Sequence, residues 1–369
     1  MDKKIDYLKD IYGSDIGGRY ITYEHLSGFF LGLGPNFQVE TIGTSVQNRP
    51  IKNITFGHGP RRILMWSQMH GNESTTTKAV VDLLRYLEQD TETGLKISDA
   101  CTLSIIPILN PDGAKAYTRV NANEKDLNRD AKDLSQPESK VLHTLYISFQ
   151  PHFCFNLHDQ RTIFNVGATK KPATVSFLAP AFDEGRNTSA SRNKSMQLIA
   201  AMNTVLQKLI PGQVGRYDDG FNPNCVGDAF QMKATPTILF EAGHYPGDYE
   251  REKTREFIFY ALLKGMNTIA NDEIGDYKVD TYLSIPENGK HYVDVLVQNV
   301  KQLNLGRTKQ DVIPVQYKEV LKEGRIDFIP ETISVPLPID EIFGHKVVDC
   351  TNENDVAWLK ETGILKLLS

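Results

Sequence analysis

The chain has 369 residues, with 41 lysines and arginines against 46 aspartates and glutamates, a net charge of −5; this excludes the electrostatic footprint of a nucleic-acid or anionic-membrane binder. Hydrophobic residues at 40% and charged residues at 24% match ordinary globular domains, which excludes disorder, collagen-like repeats and coiled coil. At roughly 150 residues per domain the length predicts about two domains.

In chain order, the N-terminal MDKKIDYLKDIYGSDIGG lacks the apolar core of a secretory signal. No later stretch reaches the ~18 apolar residues of a membrane span, so a cytoplasmic protein is expected. Arg62 to Met69 reads as a strand leading into a turn at Gly71. Ser74 to Gln89 follows as a helix, because Val80, Leu83, Leu84 and Leu87 share one face. Thr102 to Leu109 is a second strand, closed by the turn Asn110-Pro111-Asp112-Gly113. Ser135-Gln136-Pro137-Glu138 fits a capping box opening a helix through Val141, Leu142, Leu145 and Phe149. A strand at Phe153 to Leu157, a helix near Ala190 to Leu209, a strand at Thr237 to Phe240 and a helix at about Tyr249 to Ala270 complete an alternating α/β pattern. Beyond Asp272 the texture becomes strand-like, in Tyr292 to Val297, Val312 to Tyr317 and Arg325 to Ile329. The expected division is therefore an α/β domain over 1–271 and a β-rich accessory domain over 272–369.

Polar groups gather where these strands end. His70-Gly71-Asn72-Glu73 follows the first strand, and an H-x-x-E step can bring an imidazole and a carboxylate to one metal ion. By itself the step is weak, since about one H-x-x-[DE] arises by chance in such a composition and His291 to Asp294 supplies a second. Asn110 to Gly113, Asn156-Leu157-His158-Asp159 and Glu241 also lie after apolar runs, and Asp126-Leu127-Asn128-Arg129 follows shortly after the first of them. Open α/β sheets build their sites at the carboxyl ends of strands. Four such places in one domain indicate a site. The cysteines, Cys101, Cys154, Cys225 and Cys350, have no C-x-x-C spacing, so neither a disulfide scaffold nor a thiolate zinc site is indicated. No H-E-x-x-H and no phosphate-binding glycine loop occurs.

From about residue 20 to 270 the chain resembles the zinc metallocarboxypeptidase family of carboxypeptidase A type. Glu40-Thr41-Ile42-Gly43-Thr44-Ser45, Arg49-Pro50-Ile51, the HGNE turn, NPDG, DLNRD, His158 and Glu241 occur in the family's order. The resemblance implies a three-layer α/β/α fold around a central mixed, twisted sheet, one zinc ion, and hydrolysis of an amide bond beside a carboxylate. It implies that His70, Glu73 and His158 ligate the metal and that Glu241 is the general base and acid. Arg119 resembles the arginine that stabilises a developing oxyanion. Asn128 and Arg129 resemble the pair that holds a terminal carboxylate, and Tyr217 is the best-placed counterpart of a mobile tyrosine over the site. Asp130 and Ala131 depart from the common Asn-aromatic continuation, which sets an extra acid beside the expected carboxylate site. His244 is expected in a supporting loop, and Cys225 near the site.

The leading expectation is a peptidase or amidase acting on a small peptide, similar to the murein tripeptide amidases. The alternatives are an N-acyl amino acid deacylase of the aspartoacylase and succinylglutamate desuccinylase type, and a binding module without turnover. No nucleic-acid or membrane partner is expected, and the oligomeric state is open.

Overall fold

A computed structural model describes residues 7, 11–89, 91–304 and 311–368. The chain begins with helix α1 (Tyr23–Gly32), a hairpin of β1 (Phe37–Thr44) and β2 (Pro50–Phe56), then β3 (Arg61–Trp66) and α2 (Thr75–Leu87). Next come α3 (Glu92–Ala100), β4 (Cys101–Ile106), the short α4 (Pro111–Ala116), α5 (Pro137–Phe149) and β5 (Phe153–Asp159). The ribbon β6 (Asn165–Val166), β7 (Val175–Leu178), α6 (Ala190–Leu209), β8 (Val214–Arg216), α7 (Val226–Met232), β9 (Thr237–Ala242) and α8 (Glu252–Ala270) follow. After α9 (Val279–Leu283) and β10 (Asn288–Gly289), a second sheet is built from β11 (Tyr292–Gln298), β12 (Val312–Lys322), β13 (Arg325–Thr332) and β14 (Phe343–Asp349), with α10 (Glu353–Glu361) beside it.

The large sheet has the order β1-β2-β4-β3-β5-β9-β7-β8. Strands β4, β3, β5 and β9 run parallel, flanked by antiparallel β2 on one side and β7 on the other. The four parallel strands are buried on both faces and read as continuous apolar runs, as expected when helices cover both sides. One face packs α2, α3, α6 and α8 into a core that includes Leu83, Leu84, Phe155, Phe240 and Met266. The other face packs α5 and α7 around Trp66, Leu142 and Phe230. This is the three-layer mixed α/β/α architecture read from the sequence.

Two local expectations are revised by hydrogen bonding. Ser135 and Glu138 do not form a capping box: Gln136 is the N-cap of α5, Pro137 sits at its first turn, and the Ser135 hydroxyl donates to Asp130 Oδ1 at 2.7 Å. Glu138 is buried and accepts from Val46 N and Asn121 Nδ2. The last helix of the α/β domain starts at Glu252 rather than Tyr249, because the Asp248 carboxylate accepts the backbone N–H groups of Glu252, Lys253 and Thr254. Past the expected boundary at 272, Tyr282 and Ile285 are still buried in the large core. The second sheet has its own core, around Val295, Val297, Val315, Val348 and Leu359.

A buried ion pair fixes α2, the helix that carries the first site turn, against α8. The Arg255 guanidinium donates from Nε and Nη2 to the two oxygens of Asp82, each at 2.5 Å, and the Tyr7 hydroxyl adds a third donor at 2.5 Å. Both side chains are fully buried. Removing Asp82 strips the buried Arg255 guanidinium of its bidentate partner and leaves Glu252 Oε2, at 3.1 Å, as its remaining carboxylate. Asp82→Ala is therefore expected to lower unfolding free energy by about 3–5 kcal/mol, read as a lower urea midpoint.

The small sheet lies against the loop after β5. Gln316 Nε2 donates to Thr162 Oγ1 at 2.7 Å, His345 Nε2 to the Thr162 carbonyl at 2.7 Å, and Tyr292 N to the Ile163 carbonyl at 3.1 Å. His345 also stacks on Tyr292 and lies against His244, with ring centroids 4.2 Å apart in both pairs. Burial pushes the His345 pKa down to about 4, partly opposed by its bond to the Thr162 carbonyl, with Arg251 lowering it further. An unfolded histidine titrates near 6.5, so between that value and about 4 the unfolded chain binds the extra proton and stability falls as pH falls. The urea midpoint should drop from pH 7 to pH 5, and the drop should shrink in His345→Phe.

Candidate metal centre and substrate cleft

The register of the parallel sheet decides where the polar groups meet. Trp66, the last residue of β3, pairs with Asn156, and His158 pairs with Glu241 one strand further on. The carboxyl ends of β3, β5 and β9 thus deliver the HGNE turn, His158 and Glu241 to one edge of the sheet. Between β3 and His70 the chain makes a tight path: Gln68 holds a φ of +43°, and its amide donates to the Ile21 and Gly71 carbonyls while accepting from Thr77 Oγ1.

Gly71 is required by a close approach of two backbones. A Cβ there would lie 1.9 Å from the Gly113 carbonyl carbon, so the HGNE and NPDG turns touch main chain to main chain. NPDG makes this possible by starting a helix: Asn110 is the N-cap of α4, its Oδ1 accepting Gly113 N at 2.8 Å, and Pro111 occupies the first turn. Asn110 also donates through Nδ2 to the Met69 carbonyl at 3.2 Å. Asp112 turns the other way, accepting from Ser45 Oγ and Gln47 N and pairing with Arg49. The segment around Ser45 and Arg49 is thereby a brace for the site.

Three donors converge at the centre. His70 Nδ1 lies 2.9 Å from Glu73 Oε1, His158 Nδ1 2.8 Å from Glu73 Oε2, and the two Nδ1 atoms are 3.1 Å apart. Two protonated ring nitrogens facing one another at that distance would repel, whereas a cation between them would satisfy both lone pairs and the carboxylate together. The tautomer agrees: His70 Nε2 lies 2.9 Å from Asp126 Oδ1, so its N–H donates there and Nδ1 is left as an acceptor. Glu73 is oriented by Asp159 N at 3.2 Å, and Asp159 caps α2 by accepting Thr75 N and Thr76 N. Two imidazoles and one carboxylate, all buried, with ligand atoms within 4.8 Å of one another, fit a zinc ion that keeps an open coordination position.

A cavity of 650 Å³ opens beside this centre and is lined by His70, Glu73, Arg119, Asn128, Arg129, His158, Tyr217 and Glu241. Arg119 spans Glu73 Oε1 at 3.3 Å and Asp126 Oδ2 at 3.0 Å. Glu241 is buried and has no hydrogen-bond partner among the described residues. Burial, reinforced by the charges of Glu73 and Asp159, pushes its pKa well above the usual carboxyl range. Asn128 Oδ1 accepts Val226 N at 3.0 Å, while Arg129 reaches the Asn128 carbonyl at 2.8 Å and Cys225 Sγ at 3.0 Å. Tyr217 packs its ring against Phe164 at 5.5 Å, and burial raises its hydroxyl pKa.

Two acids behave differently from the sequence expectation. Asp130 does not face the cleft: it is buried, and its carboxylate accepts Ser135 N, Ser135 Oγ and Gln136 N. The departure after Arg129 therefore anchors the start of α5 and adds no charge to the cavity. Asp126, the first residue of the DLNRD run, was assigned no role from sequence, yet it holds both His70 and Arg119. Asp228 also lines the cavity with its pKa raised by burial to about 6. His244 is not part of the cleft lining; it lies between Tyr249 and His345. Asp126→Asn should weaken zinc binding roughly 10–100-fold with little change in melting temperature, measured by chelator competition.

Residues 34–163 match the sequence model of the zinc carboxypeptidase family. Carboxypeptidase 2 of Trichophyton rubrum is 28% identical over 101 residues, 27% of this chain and 19% of that protein. Gamma-D-glutamyl-L-diamino acid endopeptidase 1 of Lysinibacillus sphaericus is 37% identical over 87 residues, 21% of this chain and 22% of that protein. The chain spans less than a third of the length of the curated relatives it matches. Among solved structures, a metallo-carboxypeptidase from Burkholderia cenocepacia superposes with a TM-score of 0.55 at 18% identity, covering 69% of this chain and 70% of that one. The fold is therefore shared with metallocarboxypeptidases, and residues 34–163 are similar in sequence to the zinc carboxypeptidase family.

Proposed function

We propose that the protein is a zinc-dependent hydrolase that cleaves an amide bond next to a carboxylate-bearing end of a small peptide. The observation that carries this reading is the pairing of Glu241 with His158 across β5 and β9. It sets a buried carboxyl group with a raised pKa beside the His70, Glu73 and His158 donor set. Zinc held by these three residues would supply Lewis acidity, polarising the scissile carbonyl and lowering the pKa of water. Glu241 takes a proton from the attacking water on a carboxylate oxygen and returns it to the departing amine. A pKa raised by burial makes the carboxylate a stronger proton acceptor than an ordinary glutamate. Arg119, fixed by Glu73 and Asp126, offers donors where negative charge develops on the carbonyl oxygen. Arg129 and the Asn128 amide hold the product-side carboxylate, the planar guanidinium being suited to bidentate contact. Tyr217 covers that end of the cleft.

A cytoplasmic site of action is part of the same reading, supported by four cysteines that form no disulfide. Among the described residues no helix is long and apolar enough to cross a membrane.

Glu241→Gln should reduce kcat by at least about 10²–10⁴-fold while the protein still binds one zinc per chain; near-native turnover would remove Glu241 from the base role. Peptides with a free C-terminal carboxylate should be cleaved and their C-terminal amides should not. In Arg129→Ala the penalty should appear mainly in KM. Equal cleavage of acid and amide would refute the carboxylate role of Asn128 and Arg129.

A further inference from the structure

A second cavity, of 340 Å³, shares Glu73 with the first, and Arg129 is not among its lining residues. Its floor is the strand-end segment Asn72, Glu73, Asp159, Gln160 and Arg161, which also lines the first cavity. Its far wall comes from the small sheet, through Asp294, Gln316, Tyr317, Glu319 and Phe328. The two cavities thus meet at the metal centre. If the carboxylate-bearing side of the substrate lies toward Arg129, the acyl side of the scissile bond extends into this second space, between the two sheets.

The chemistry of the walls is uneven. Every acid there is engaged: Glu319 pairs with Arg19 at 3.0 Å and accepts the Tyr117 hydroxyl at 2.5 Å. Asp294 accepts Tyr249 Oη and Tyr317 N, and also the Gln316 amide. Asp159 accepts Thr75 N and Thr76 N. Arg161, by contrast, is exposed at the junction of the two cavities and forms no ion pair or hydrogen bond among the described residues. Two buried acceptors in the same walls also lack donors, Asn72 Oδ1 and Gln316 Oε1. The Gln316 amide orientation is fixed, since Nε2 must face Asp294 and Thr162 Oγ1. A buried acceptor without a donor is costly.

We propose that this space is the acyl-side subsite, that it takes an acidic amino-acid residue, and that the C-terminal sheet is a working wall of the substrate cleft. Arg161 binds the acidic residue's carboxylate, and the backbone N–H of the same residue donates to one of the two orphaned acceptors, Asn72 Oδ1 or Gln316 Oε1. The proposal rests on the amide-hydrolase reading and adds to it the identity of the residue on the acyl side and the part of the chain that selects it.

The test uses the full zinc-loaded protein and two peptides that differ only in having glutamate or glutamine before the scissile bond, both with a free C-terminus. The wild type should favour the glutamate peptide in kcat/KM by about tenfold or more. Arg161→Ala should bring that ratio toward one and Arg161→Lys should restore part of it, while Arg129→Ala should depress both peptides alike. Equal kcat/KM for the two peptides in the wild type, or an unchanged preference in Arg161→Ala, would overturn the subsite while leaving the hydrolase reading in place. Calorimetric titration with N-acetylglutamate separates the two ideas when no peptide is cleaved. Binding that is lost in Arg161→Ala supports the subsite although the reaction fails, and absence of binding overturns it.

Discussion

Glu73 is a carboxylate taken out of water, and the architecture around it follows from the need to keep that charge compensated. Isolated burial of a carboxylate costs several kcal/mol unless hydrogen bonds and opposite charge replace its hydration. Here the replacements come from four places: the Asp159 backbone, two imidazoles and the Arg119 guanidinium. Each imposes a constraint on the chain. Asp159 requires β5 to lie beside β3. His70 requires the turn that only a glycine at 71 permits against Gly113. Arg119 requires the loop after α4 to return over the site, where Asp126 fixes it.

One strand away, Glu241 has the opposite environment. It is buried with no hydrogen-bond donor, next to the negative charge of Glu73. Two carboxyl groups driven apart in this way are suited to different tasks: Glu73, held well below the usual carboxyl range by the two imidazoles, is suited to a cation, and Glu241, pushed up by burial, is suited to the proton-transfer role proposed for it. The in-register pairing of β5 and β9 produces this contrast, so the division of labour is a property of the sheet as much as of the side chains.

The catalytic edge was legible in the sequence because strand-end polar residues interrupt apolar runs that admit no other reading. Phe153 to Leu157 and Thr237 to Phe240 are buried on both faces, which leaves His158 and Glu241 conspicuous. Contacts between segments far apart were not legible. Asp126 and Asp130 lie in one short stretch, DLNRD, yet one reaches His70 across the cleft while the other anchors α5. No local periodicity distinguishes them. Strand β14 and helix α10 were also missed, since Phe343 to Asp349 is half exposed and finds its place by parallel pairing with β11, about fifty residues earlier. Ser135 shows the converse error: a correct local motif lost to a nearby acid that binds the same backbone.

The placement of the small sheet bears on what can be a substrate. Its contacts with Thr162 and Ile163 hold it over the segment that follows His158, so it cannot be remote from the chemistry. The space it encloses on the acyl side has the volume of a small ligand, which disfavours long or folded polypeptides entering from that direction. Charge acts in the same sense. The chain is acidic overall, but Glu73, Asp126 and Asp159 beside the cleft are committed to arginines, backbone N–H groups or imidazoles, whereas among the described residues Arg129 bonds only to a carbonyl and a thiol and Arg161 forms no ion pair or hydrogen bond. A short peptide bearing a carboxylate on each side of the scissile bond would neutralise both guanidinium groups at once, with the metal donors and Glu241 between them.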